Sequence, residues 1–174
     1  MSEVSRISDD IRSLLEKPKK LSDSERAIYF SWSDTQKDII DNLDSNVNKV
    51  GLVIQLGYFK LTHIFYNVDR YNDQDIKYVQ NLLGFDVNLK KEYADRSRNR
   101  HKKLILKILG IKPFKESADT FDKELYKLTN NTIDLETIIK ELTSFAKTNK
   151  FELPSSYLFA KKINEAILAR EKNF

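Results

Sequence analysis

The sequence predicts an all-α protein, a multi-helix bundle of about eight to ten helices. Three observations carry that prediction. The 174 residues include only 4 Gly and 3 Pro, too few to interrupt helices often. Ser, Asp and Asn repeatedly precede segments whose apolar residues recur at spacings of three and four. No two alternating segments are joined by the two-residue turn that makes a hairpin. With 40% hydrophobic and 32% charged residues, the chain has the composition of a globular protein able to bury a core without cross-links.

The elements follow in order. A short helix starts at Ser8, places Ile11, Leu14 and Leu15 on one side, and stops before Pro18. Ser22-Asp-Ser-Glu25 fits a capping box for a second helix. Ser33-Asp-Thr-Gln36 repeats the device for a third, running through Leu43, with Trp32 just outside the cap. Asn46 caps a fourth, Val47 to about Leu61, which is apolar on every side and therefore buried. Gly51 and Gly57 each weaken that helix by about 1 kcal/mol relative to Ala, so another element must approach closely there. Gln55, on the same helix, needs a buried partner. After a loop at His63–Tyr71, Asp73 caps a helix carrying Ile76, Val79, Leu82 and Leu83, ended by Gly84. A basic helix spans Asp95 to Leu109, ended by Gly110. Beyond Pro113 come a helix from Ser117, a loop at Asn130 and Asn131, a helix from Thr132 through Ala146, and a last helix opened by Pro154. These divide into a helical lobe over residues 1–115 and a smaller one over 116–174 packed on it.

Charge is distributed unevenly. The formal net charge is +4, yet residues 87–115 hold 10 Lys/Arg against 2 Asp/Glu. The segments before and after that window are slightly acidic, with 11 against 14 and 9 against 10. A local field of this density favours a polyanion. Taking about 100° per residue, Arg96, Arg100, Lys103 and Lys107 fall at roughly 0°, 40°, 340° and 20°, a single stripe. Leu104, Ile105 and Ile108 fall on the other side together with Ser97 and His101, so one face packs while the other stays cationic. Arg98 and Lys102 flank the stripe, and Lys112 and Lys115 extend the basic track. Tyr93 beside it is read as core or rim packing, with stacking on a sugar or base as the alternative.

Much chemistry is excluded. The chain has no cysteine, hence no disulfide, thiolate ligand or thiol nucleophile. His63 and His101 are far apart and lack zinc-hydrolase spacing, so no metal site and no cofactor is expected. Neither a glycine-rich phosphate loop nor a Gly-x-Ser-x-Gly elbow is present. No apolar run approaches membrane length and the start has no leader pattern, so no membrane partner and a cytoplasmic address are expected.

Five pieces in order carry a family resemblance. Leu21-Ser-Asp-Ser-Glu25 with Tyr29-Phe30, Val50-Gly-Leu-Val-Ile-Gln-Leu-Gly57-Tyr-Phe, Arg96-Ser-Arg-Asn-Arg-His-Lys102, Leu109-Gly-Ile-Lys-Pro-Phe114 and Leu153-Pro-Ser-Ser-Tyr-Leu158 resemble the N-terminal region of transposases of the Tn-three family. The resemblance implies a non-catalytic helical module at the start of a longer transposase, contributing to recognition of the terminal inverted repeats. It also implies that catalysis resides in a downstream Asp-Asp-Glu domain, for which this chain has no room. The family's Arg, Arg, His and basic positions fall on Arg96, Arg100, His101 and Lys102, and Ser97 stands where threonine is common.

Charge layout and resemblance together lead to one expectation. The basic helix, supported by the preceding Asp73–Leu83 helix, binds double-stranded DNA in a helix-turn-helix-like manner, although the intervening Phe85–Tyr93 segment is longer than a standard turn. Arg96, Arg100, Lys103 and Lys107 are the main contacts, Arg98, Lys102, Lys112 and Lys115 the secondary ones. Expected partners are transposon ends and the remaining transposase domains, with self-association allowed and the nucleoid as the place of action. The competing reading is a helical protein-interaction or dimerisation module with a basic face.

Overall fold

Capping side chains set about half of the helix starts. The computed structural model describes residues 3–172, which form ten α-helices. These are α1 (Glu3–Leu15), α2 (Asp23–Tyr29), α3 (Asp34–Asp41), α4 (Asn46–Thr62), α5 (Asp73–Leu83), α6 (Leu89–Glu92), α7 (Asp95–Leu109), α8 (Phe114–Asn131), α9 (Leu135–Asn149) and α10 (Ser156–Lys172). A 3-10 turn at Val68–Arg70 precedes α5. The all-α class and the number of helices agree with the sequence reading. Extended pairing among the described residues is limited to an isolated parallel bridge between Lys112 and Phe151.

Both capping boxes form. Ser22 Oγ accepts from the Glu25 amide at 3.2 Å while Glu25 Oε1 accepts from the Ser22 amide at 3.1 Å. Ser33 and Gln36 make the same exchange at 3.2 and 3.0 Å. Gly84 and Gly110 end α5 and α7 in the left-handed region, at φ 78° and 66°.

Other boundaries shift by a few residues. The cap of α4 is Ser45, not Asn46, and that of α5 is Asn72, not Asp73, because the oxygen one residue earlier reaches the Asn48 or Gln74 amide. Helix α1 begins at Glu3, upstream of Ser8, and α3 ends at Asp41, short of Leu43. Helix α8 starts directly after Pro113 and runs through the expected loop to Asn131, whose Nδ2 donates to the Lys127 carbonyl at 3.1 Å. Helix α9 starts at Leu135, with Asp134 rather than Thr132 as its cap. Helix α6, a single turn, lies in a stretch that carries no helical periodicity.

The chain forms two compact units. One comprises Lys17–Gly110, hence α2 to α7; the other joins α1 to the chain from Ile111 onward. This differs from a division after residue 115. The buried Ile11 and Leu15 lie on α1, which packs on α10, so the first helix belongs with the last ones.

Helix α4 is the centre of the Lys17–Gly110 unit. Residues Val50 to Phe59 are all buried, and α2, α3, α5, α6 and α7 each pack on α4. The two glycines serve close approach. A Cβ on Gly57 would lie 2.3 Å from the Phe30 ring at the end of α2, and one on Gly51 would lie 2.4 Å from the Tyr93 ring. A buried ionic group ties α2, α4 and α5 together: Arg26 Nε donates to Asp75 Oδ1 at 2.8 Å, and Tyr58 Oη donates to Asp75 Oδ2 at 2.6 Å. Arg26 also reaches Asp23 and Gln74, at 2.9 and 3.1 Å. The bonds to Asp75 first, and to Asp23, raise the Arg26 pKa above its ordinary value. The bonds from Arg26 and Tyr58, one to each carboxylate oxygen, offset the cost of burying Asp75, which is 0% exposed.

In the other unit α8 packs on α9 and α10. Phe121 and Phe159 meet edge to face at 5.4 Å within a core that includes Leu125, Ile138, Leu142 and Ile163.

Candidate nucleic-acid interface

Helix α7 separates its residues by face as its period requires. His101 and Ile105 are buried, whereas Arg96, Arg100, Lys103 and Lys107 are all exposed. The buried side packs on α4, so the support of the basic helix comes chiefly from α4 and not from the helix before it. The cause lies in the hydrophobicity of α4, which is apolar all round and covered on every side by neighbours.

A polar chain in that interface fixes the rotation of α7. Gln55 Nε2 donates to Tyr93 Oη at 2.7 Å, and Tyr93 Oη is also hydrogen-bonded to His101 Nδ1. Tyr93 has taken the core role: it is 2% exposed, and its ring fills the notch left by Gly51. This hydroxyl is the buried partner of the Gln55 amide nitrogen, while Gln55 Oε1 is buried without a partner. Burial first, and Arg100 second, hold the imidazole pKa down at about 4, so the ring is neutral at physiological pH. Burial likewise raises the Tyr93 phenol above its ordinary range.

The secondary basic residues divide in two ways. Arg98 turns inward: it pairs with Asp95, donates to the Tyr93 carbonyl, and places its guanidinium 5.9 Å from the Tyr93 ring centroid. It locks the first turn of α7 to the end of α6. Lys102 is half-buried, its Nζ 5.8 Å from the Phe65 ring centroid. Lys112 and Lys115 are exposed but belong to the other compact unit. There the Lys112 amide donates to the Lys150 carbonyl at 2.9 Å, and Lys115 lies in the first turn of α8.

One feature next to the stripe has no counterpart in the sequence reading. A cleft is lined by Leu43 and Asp44 after α3, Asn48 on α4, and Arg100, His101 and Leu104 on α7. Arg100 thus shares a concave surface with an acid and an amide about fifty residues away in the chain. No periodicity could have joined them. The nearest signal was the predicted start of α4 beside Asp44.

Metal and membrane chemistry gain nothing from the geometry. Among the described residues no group of three or more His, Asp or Glu is placed to hold a metal ion, and no helix is long and apolar enough to cross a membrane.

A family model described as a domain of unknown function (DUF4158) matches residues 7–166. The chain belongs to this family. The matched range includes all of α2 to α9, hence both the α4 core and the α7 stripe. No curated protein and no solved structure matches the chain.

Proposed function

We propose that this chain is the DNA-binding module of a Tn-three-like transposase and contributes to recognition of the transposon's terminal inverted repeats. The observation that carries the reading is the four-residue cationic stripe Arg96, Arg100, Lys103 and Lys107. It is exposed along α7 while the opposite face is locked into the core by His101 and Ile105. A rigid helix with cations on one side can lie along phosphates or present its arginines to base edges in the major groove. The ordered motifs from Leu21 to Leu158 support the family context. In that context the module is non-catalytic, acts in the cytoplasm on the nucleoid, and works beside the remaining transposase domains, the Asp-Asp-Glu domain among them.

The test is titration of the chain against a duplex of its transposon end and a shuffled duplex, each at several salt concentrations. The slope counts phosphates and the affinity ratio reports specificity. Lys103→Ala should weaken both duplexes equally and flatten the slope by about one. Absence of duplex binding at low salt would defeat the proposal.

One observation favours the interaction-module reading. Leu82, 48% exposed, lines a groove with Ala27, Phe30, Trp32 and Tyr78. Self-association in light scattering, without duplex affinity, would select that reading.

A further inference from the structure

The cleft beside the stripe contains a combination that phosphate binding does not explain. Asp44 and Arg100 are both exposed and line the same concave surface. A carboxylate facing a polyanion repels it, so on a surface whose task is phosphate binding alone Asp44 is a liability. On a surface that reads bases it has a use. In the major groove guanine presents N7 and O6 as acceptors, matched by a guanidinium, while its paired cytosine presents an N4 amino donor, matched by a carboxylate.

We propose that the cleft between α3, α4 and α7 reads guanine in the DNA held by the stripe, with Arg100 donating to N7 and O6 and Asp44 accepting an amino or imino proton. The inference rests on the DNA-binding reading above and assigns it a base preference. Leu43 and Leu104 form apolar walls, and Asn48 adds a donor and an acceptor at the rim. His101 Nδ1 is already bonded to Tyr93, which fixes the ring in the wall of the cleft. The Gln55–Tyr93–His101 chain holds Arg100, one residue away, in register with Asp44. The same donors and acceptors fit the major-groove edge of a G·C pair or an extruded guanine, whose N1 and N2 protons meet a carboxylate.

The experiment uses the full chain with short alternating A·T and alternating G·C duplexes, and a duplex carrying one unpaired guanine, at several salt concentrations. The wild-type chain should prefer guanine-containing duplex by about tenfold, the lower part of the range for one bidentate contact. Asp44→Ala should bind the A·T duplex more tightly, because a repulsive charge is gone, and lose the preference. Arg100→Lys should keep the salt slope and lose the preference. A merely structural role for Asp44, which lies exposed between helices, would change neither ratio. Tighter binding of the unpaired guanine supports the extruded form of the site, and equal binding supports edge reading. Salt-sensitive binding with the same A·T to G·C ratio in wild type and Asp44→Ala overturns the guanine site and leaves the DNA-binding reading standing; no duplex binding at all overturns both.

Discussion

Replacing Gly51 by alanine tests whether α7 is held in place by the Tyr93 ring. In an open helix the change would stabilise by about 1 kcal/mol, since glycine is the poorer helix former. Here the new Cβ would lie 2.4, 2.5 and 2.7 Å from Cζ, Cε2 and Cε1 of Tyr93. Carbon atoms pack at about 3.5 to 4.0 Å, so the ring would have to retreat by about 1 Å. It is not free to do so. The hydroxyl on Cζ bonds Gln55 at 2.7 Å and also bonds His101, and a 1 Å retreat takes the first of these beyond hydrogen-bond range. Overpacking costs about 1 to 3 kcal/mol. Leaving the buried Gln55 amide unpaired costs about 1 to 3 more. Set against the propensity gain, the expected net effect is destabilisation by about 1 to 5 kcal/mol. Chemical denaturation of the wild type and of Gly51→Ala measures it through the midpoint. The same substitution in a Tyr93→Ala background should change sign and stabilise, because the ring that opposes the methyl is gone. Stabilisation by Gly51→Ala in the wild-type background, or equal effects in the two backgrounds, would refute the account of how α7 is seated.

Two other outcomes follow from buried groups. Asp75→Ala leaves the Arg26 guanidinium and the Tyr58 hydroxyl buried without their shared acceptor and should cost about 3 to 5 kcal/mol, whereas the double change Arg26→Met with Asp75→Leu should cost far less; denaturant midpoints distinguish them. His101 has a folded pKa of about 4 against an ordinary value of about 6.5, so the unfolded chain binds more protons between those limits and stability falls as pH is lowered through them. From pH 8 to pH 5 the loss attributable to this residue is about 2 kcal/mol, and His101→Gln should remove that part of the pH profile measured by thermal or denaturant unfolding.

The stripe was legible because it lies within one helix. Four cations spaced by three and four residues must share a face whatever surrounds the helix, and the apolar residues between them state which side is buried. The boxes at Ser22 and Ser33 were legible for the same reason, being closed by side chains three residues apart. The glycines of α4 signalled close approach, but not by what. That Phe30 fills one notch and Tyr93 the other depends on contacts across 27 and 42 positions of chain, and a pattern read along a single helix carries no information about them.

Arg98 shows the limit from the opposite direction. Its charge and position placed it beside the stripe, yet the local turn from α6 into α7 brings the Tyr93 carbonyl and Asp95 within its reach and draws it inward. The sequence by itself determined the all-α class, the burial of α4 and the polarity of α7, because each follows from residue spacing within one element and the short-range sterics of the helix. Tertiary structure alone decided that α7 is seated on α4, that Gln55, Tyr93 and His101 form one hydrogen-bonded chain, and that Asp44 and Asn48 share a cleft with Arg100. Those relations depend on which helices meet, and that is settled by the shape and depth of apolar faces that the linear order of residues does not record.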